Sequence, residues 1–134
     1  MRLAAALLAF GCTAAFQAGE TDGRAWRRDC CKSRYAAQTL GSRSTALLGK
    51  EYRRLKAKKC PDCKLNGSDL QKIMRELGIR LNGQRRAEVE KVMGPPDRVR
   101  NAGLIYFWRY EHDYLRFTPE ADSLVRSSWY RALE

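Results

Sequence analysis

The chain reads as a small α+β protein: two to three N-terminal helices packed on one face of a three-stranded antiparallel meander. Three observations predict this. Apolar residues recur at helical spacing as far as Met93. From Arg98 onward the period changes to the alternation of strands. Between the two regimes stands Gly94-Pro95-Pro96, which a helix cannot cross. A length of 134 residues suits one domain, expected over 45–134.

Residues 1–18 form the first segment. Met1-Arg2 is a short positive start, and Leu3 to Phe16 is apolar or small throughout. About 20 apolar residues are needed to cross a bilayer, so this run is too short for that. It fits a secretory signal peptide, cleaved after Ala15 or Ala18. An ordinary helix is the plainer alternative. A lipidated Cys12 is another, although Ala9-Phe10-Gly11 lacks the leucine usual three places before such a cysteine.

Residues 19–44 form a second, basic segment. From Gly23 to Lys50 there are seven basic residues against one acidic residue, Asp29, with Ser and Thr among them. That is the composition of an organelle transit peptide, or of a solvated linker. The stretch Cys-Thr-Ala-Ala-Phe-Gln at 12–17 is similar to the Ala-Phe junction of two-part plastid targeting sequences. The expected address is therefore plastid or secretory pathway, with bacterial periplasm or outer membrane as the alternative.

A first helix is expected from Ser44, with Leu48, Tyr52 and Leu55 on one face and basic residues on the other. Gly49 weakens it and Pro61 bars its extension. In the second helix Ser68 and Gln71 make a capping box, Leu70, Ile73, Met74 and Leu77 make an apolar stripe, and Gly78 is the expected stop. A third, shorter helix carries Val89, Val92 and Met93. Strands follow over Leu104–Tyr110, Tyr114–Thr118 and Ser123–Arg131, separated by turns at Glu111-His112-Asp113 and Pro119-Glu120-Ala121-Asp122.

The net charge is +11. The excess lies in the first hundred residues; from Asn101 on, four basic residues face five acidic ones. That argues against one basic nucleic-acid surface built around the C-terminal aromatics. His112 is the chain's single histidine. Adjacent His and Asp side chains on a tight turn diverge, so Glu111-His112-Asp113 is a turn rather than a catalytic dyad. Of the aromatic strands, Ile105, Phe107, Leu115 and Phe117 are expected to face the helices, and Tyr106, Trp108, Tyr110 and Tyr114 with Arg116 to face away. The opposite assignment is also open, because both sets are apolar.

Cys60-Pro61-Asp62-Cys63 has the spacing of a thioredoxin-type redox pair and of half a zinc site. A redox pair should sit between a strand and a helix in a βαβ setting, and a zinc site needs two more ligands. A structural disulfide between Cys60 and Cys63 is the favoured reading.

One family resemblance emerges from these residues. Between Leu81 and Tyr130 the chain resembles the BamE-type small outer-membrane lipoproteins. The matching positions are Gly83, Val89, Gly94, Pro96, Trp108, Tyr110, Leu115, Phe117 and Val125. The resemblance implies helices on a three-stranded meander, a fold used for binding rather than catalysis; the family assists β-barrel assembly. Cys60-Pro61-Asp62-Cys63 and the longer basic leader are additions to that pattern.

The functional expectation is a non-enzymatic, protein-binding accessory module. Its contact residues are Trp108, Tyr110, His112, Tyr114 and Arg116, and neither cofactor nor metal is expected. Two alternatives remain: a nucleic-acid or acidic-surface binder using Lys56, Lys58 and Lys59, and a thiol redox or zinc protein using Cys60 and Cys63.

Overall fold

The computed structural model describes residues 37–59 and 61–132. The expected signal segment, the basic segment up to residue 36 and Cys60 lie outside them. Helix α1 spans Ala37–Gly41, α2 Thr45–Ala57, α3 Asp69–Leu81 and α4 Arg86–Met93. Strands β1 (Arg98–Arg100), β2 (Gly103–Arg109), β3 (Asp113–Pro119) and β4 (Val125–Arg131) follow. They form one antiparallel sheet in the order β1-β2-β3-β4. The protein is α+β as expected, with four strands instead of three. The extra strand, Arg98-Val99-Arg100, is too short to show alternation. It turns into β2 through Asn101 and Ala102, both at positive φ.

Each helix starts for a local reason. Ser44 caps α2 by accepting from the Leu47 N–H, and Ser68 caps α3 by accepting from Gln71. The Gln71 side chain accepts from the Gly67 N–H at 2.7 Å, one residue ahead of the cap, while the Ser68 N–H donates to the Leu65 carbonyl. Helix α4 ends at Gly94, whose φ of 83° suits glycine alone.

Helix α3 does not stop at Gly78 but runs on to Leu81. Gly78 is there for packing: a Cβ on it would meet Leu115 Cδ1 at 2.9 Å. Gly49 has the same purpose where α2 crosses α4. Its Cβ would lie 2.5 Å from the Val92 carbonyl oxygen. Arg53 donates to that same oxygen and holds the crossing from the side.

Leu48, Tyr52 and Leu55 from α2 join Ile73, Met74 and Leu77 from α3, with Val89 and Met93 from α4. The sheet adds Leu104, Tyr106, Trp108, Leu115, Phe117 and Val125. Full burial of one such side chain contributes roughly 1.5–3 kcal/mol. Tyr106 meets Tyr52 and Phe117 edge-on, with ring centroids 6.3 and 6.0 Å apart. Leu40 of α1 is also buried, so packing begins ahead of residue 45. Arg80 gathers the loose end of α1 by donating to the carbonyls of Leu40, Gly41 and Arg43.

Gly49→Ala is expected to destabilise the protein by about 2–3 kcal/mol, because the new methyl meets backbone that cannot rotate away. Gly41→Ala, with nothing within 4 Å of the added carbon, is expected to be neutral or slightly stabilising. Urea unfolding of the two variants checks the contrast.

Candidate functional site

The strand pairing decides which aromatics face out. Leu104 lies opposite Phe117 and Tyr106 opposite Leu115, so these four share one face. Leu115 and Phe117 face the helices as expected. Ile105 and Phe107 do not; Tyr106 and Trp108 take their place. The cause is polar. On the helix side the Tyr106 hydroxyl donates to the Gly94 carbonyl at 2.9 Å, and Trp108 Nε1 donates to the Cys63 carbonyl at 2.7 Å. Phe107 has no such need and can lie outside. The pairing slips between Phe107 and Arg109, and that bulge keeps Trp108 pointed inward.

Of the expected contact residues, Trp108 is therefore a core residue, only 3% exposed. Tyr110 and His112 lie on the exposed turn between β2 and β3. Tyr110 is 63% exposed, with Lys64 Nζ 3.7 Å from its ring centre. The backbone carbonyl of His112 accepts from Ala132, while Asp113 pairs with Arg109 at 3.1 Å. The structure thus places His112 on a turn, and its neighbour's carboxylate is directed to an arginine.

Tyr114 and Arg116 are on the outer face of the sheet. There Phe107, Tyr114 and Tyr130 form a row across three strands. Tyr114 stacks on Tyr130 with centroids 4.7 Å apart, and Phe107 meets Tyr114 edge-on at 6.1 Å. Tyr130 is 49% exposed. Arg98, Arg116 and Ser128 fall in the neighbouring row, over the buried Ile105. Arg98 lies 5.3 Å from the Phe107 ring and is held by Glu111. Arg126 is held by Glu120 at 2.7 Å. Arg116 Nε is buried with no hydrogen-bond partner among the described residues. Sequence reasoning missed Phe107, Tyr130, Arg98 and Arg126. The alternation within Tyr114–Phe117, extended across the pairing, carries the signal for them.

The basic helix presents less charge than its sequence suggests. Lys56 is bound to Asp97 and to the Phe107 carbonyl, and Asp97 also accepts from the Phe107 N–H at 2.7 Å. Burial pulls the Lys56 ammonium below its usual pKa, with the Asp97 hydrogen bond and charge opposing. Lys58 and Lys59 remain exposed. Cys63 is buried and disulfide-bonded; the other four cysteines lie outside the described residues. Its carbonyl accepts from both Trp108 and Ser68, each at 2.7 Å. Among the described residues no cluster of His, Cys, Asp and Glu has the makings of a metal site, and no helix is long and apolar enough to cross a membrane.

Burial raises the pKa of both Tyr52 and Tyr106 far above the ordinary phenol value, with Asp97 adding to the shift in each. A raised folded pKa contributes stability that is intact below the unfolded value and lost as pH climbs past it. Unfolding free energy is therefore expected to fall above about pH 10, where the unfolded phenols ionise first. Tyr52→Phe should flatten part of that fall. Lys56 acts in the opposite sense below 10.5, so Lys56→Met should make the alkaline loss steeper to the eye. Denaturant titrations at stepped alkaline pH check both.

Comparison with known proteins finds no matching family model, no matching curated protein and no matching solved structure.

Proposed function

We propose that the protein is a non-catalytic accessory module that docks another protein through the outer face of its sheet. The observation that carries this reading is the stacked pair of half-buried Tyr114 and exposed Tyr130, beside half-buried Phe107 and bordered by Arg98, Arg116 and Arg126. A sheet face turned to water normally carries small polar residues. Tyrosine and arginine together are instead the residue types that anchor interfaces, because they bury large area at low entropic cost and form directional bonds. Arg98 and Arg126 are held by Glu111 and Glu120, so the charge left for a partner is that of Arg116, which favours a carboxylate at this place.

The BamE-type resemblance supports the same reading, since it implies a helix-on-meander module used for binding. A cleaved leader that sends the chain to the secretory pathway or a plastid belongs to the proposal. So does pairing of Cys63 with Cys60, which an oxidising compartment would favour and which would clip the loop between α2 and α3. The nucleic-acid alternative through the basic helix is weakened, because Lys56 is committed to Asp97. A polynucleotide on the outer face is the competing outcome of the test, since exposed aromatics and arginines also stack bases.

Full-length protein carrying Tyr114→Ala with Tyr130→Ala is expected to melt as a folded protein and to lose its captured protein partner by about tenfold or more in affinity. Retention of every captured protein by this variant overturns the reading. So does capture of RNA alone, recognised by affinity that collapses as salt is raised.

A further inference from the structure

A second surface lies at the edge of the sheet, between β4 and the helix side. Strand β4 is the open edge of the sheet, and α3 runs beside it. Between them is a groove of about 840 Å³, lined by Gly78 and Ile79 of α3, by Leu115, and by β4 from Ser127 to Arg131.

The groove has the parts of a strand-addition site. The Val125 N–H donates to Gln84, and its carbonyl accepts from Gly83, so odd-numbered residues of β4 turn their backbone groups away from β3. Asn82 Oδ1 takes the Ser127 N–H at 2.9 Å. The loop after α3 thus covers the start of the edge. Beyond it, the Ser127 carbonyl and both backbone groups of Trp129 have no partner among the described residues. These are the groups that an added strand pairs with. Ile79 is 72% exposed, and Trp129 Nε1 is a buried donor without an acceptor among the described residues.

Charge selects the occupant. Arg75 and Arg131 line the groove, and no carboxylate among the described residues does. The Arg75 guanidinium lies 5.4 Å from the Trp129 ring centre and has no carboxylate partner among the described residues. A second copy of the chain would bring the same cations onto themselves. The residues ahead of Ala37 carry more Arg and Lys than Asp and Glu. The geometry points to an extended, acidic segment of another protein, added to β4 as a fifth strand, with apolar side chains against Ile79 and Trp129 and a carboxylate on Arg75.

The test uses the full chain and a displayed library of random linear peptides, followed by synthetic copies of those selected. Selected peptides are expected to combine Asp or Glu with apolar residues at alternate places, and to change the tryptophan fluorescence on binding. Arg75→Glu and, separately, Ile79→Asp should each weaken binding by about tenfold or more. Both positions are exposed, so both variants should fold. N-methylation of alternate peptide nitrogens should abolish binding, whereas Tyr114→Ala, at a residue that does not line the groove, should leave it unchanged, which separates this site from the outer face. The proposal is overturned if no peptides are enriched, or if they bind the two groove variants as well as the parent. It also falls if Arg75→Glu dissolves a homodimer, or if cross-links join residues 1–36 to the groove.

Discussion

One constraint organises this molecule: the two polar aromatics of β2 are buried against the helices, and each must find an acceptor there. Tyr106 and Trp108 alternate with Ile105 and Phe107, and by apolarity alone either pair could be buried. A phenol or an indole buried without a partner costs about 1–3 kcal/mol. The Gly94 and Cys63 carbonyls remove that cost for one phase of the strand. Once β2 is set, antiparallel pairing fixes β3 and then β4. The outer row of Phe107, Tyr114 and Tyr130 is therefore a by-product of where two carbonyls sit.

The Cys63 carbonyl also joins the two halves of the fold. It receives the indole of the sheet and the hydroxyl of the residue that caps α3. The loop around it is thus fastened from both layers, and the disulfide at Cys63 adds a covalent hold at the same point. This explains why the cysteine motif, unusual for a redox or zinc site in this setting, lies beside a helix start.

Much of the fold was legible in the sequence because the signals were local. The helix start at Ser44, the cap at Ser68, the apolar stripes of α2 and α3, the break at Gly94 and the bend at His112 each depend on a few neighbouring residues. What was not legible depended on distant partners. Gly78 looks like a stop until Leu115 is known to press on it. Ile105 and Phe107 look like core residues until β3 assigns the faces. The short strand Arg98–Arg100 has no pattern of its own and exists because Asn101 and Ala102 fold it back. Arg75 and Ile79 were passed over because an exposed helix position carries no signal for an open strand edge near it.

The grip of Arg80 on the first helix has a consequence for where the chain can be cut. Five residues are too few to stay helical alone. Here they are retained because Leu40 plugs the interior and one guanidinium collects the carbonyls that follow it. A cut upstream of Ala37 leaves that plug in place. A cut past Leu40 removes that plug together with one of the three carbonyls that Arg80 holds, so the folded body itself marks how far the chain can be shortened from this side.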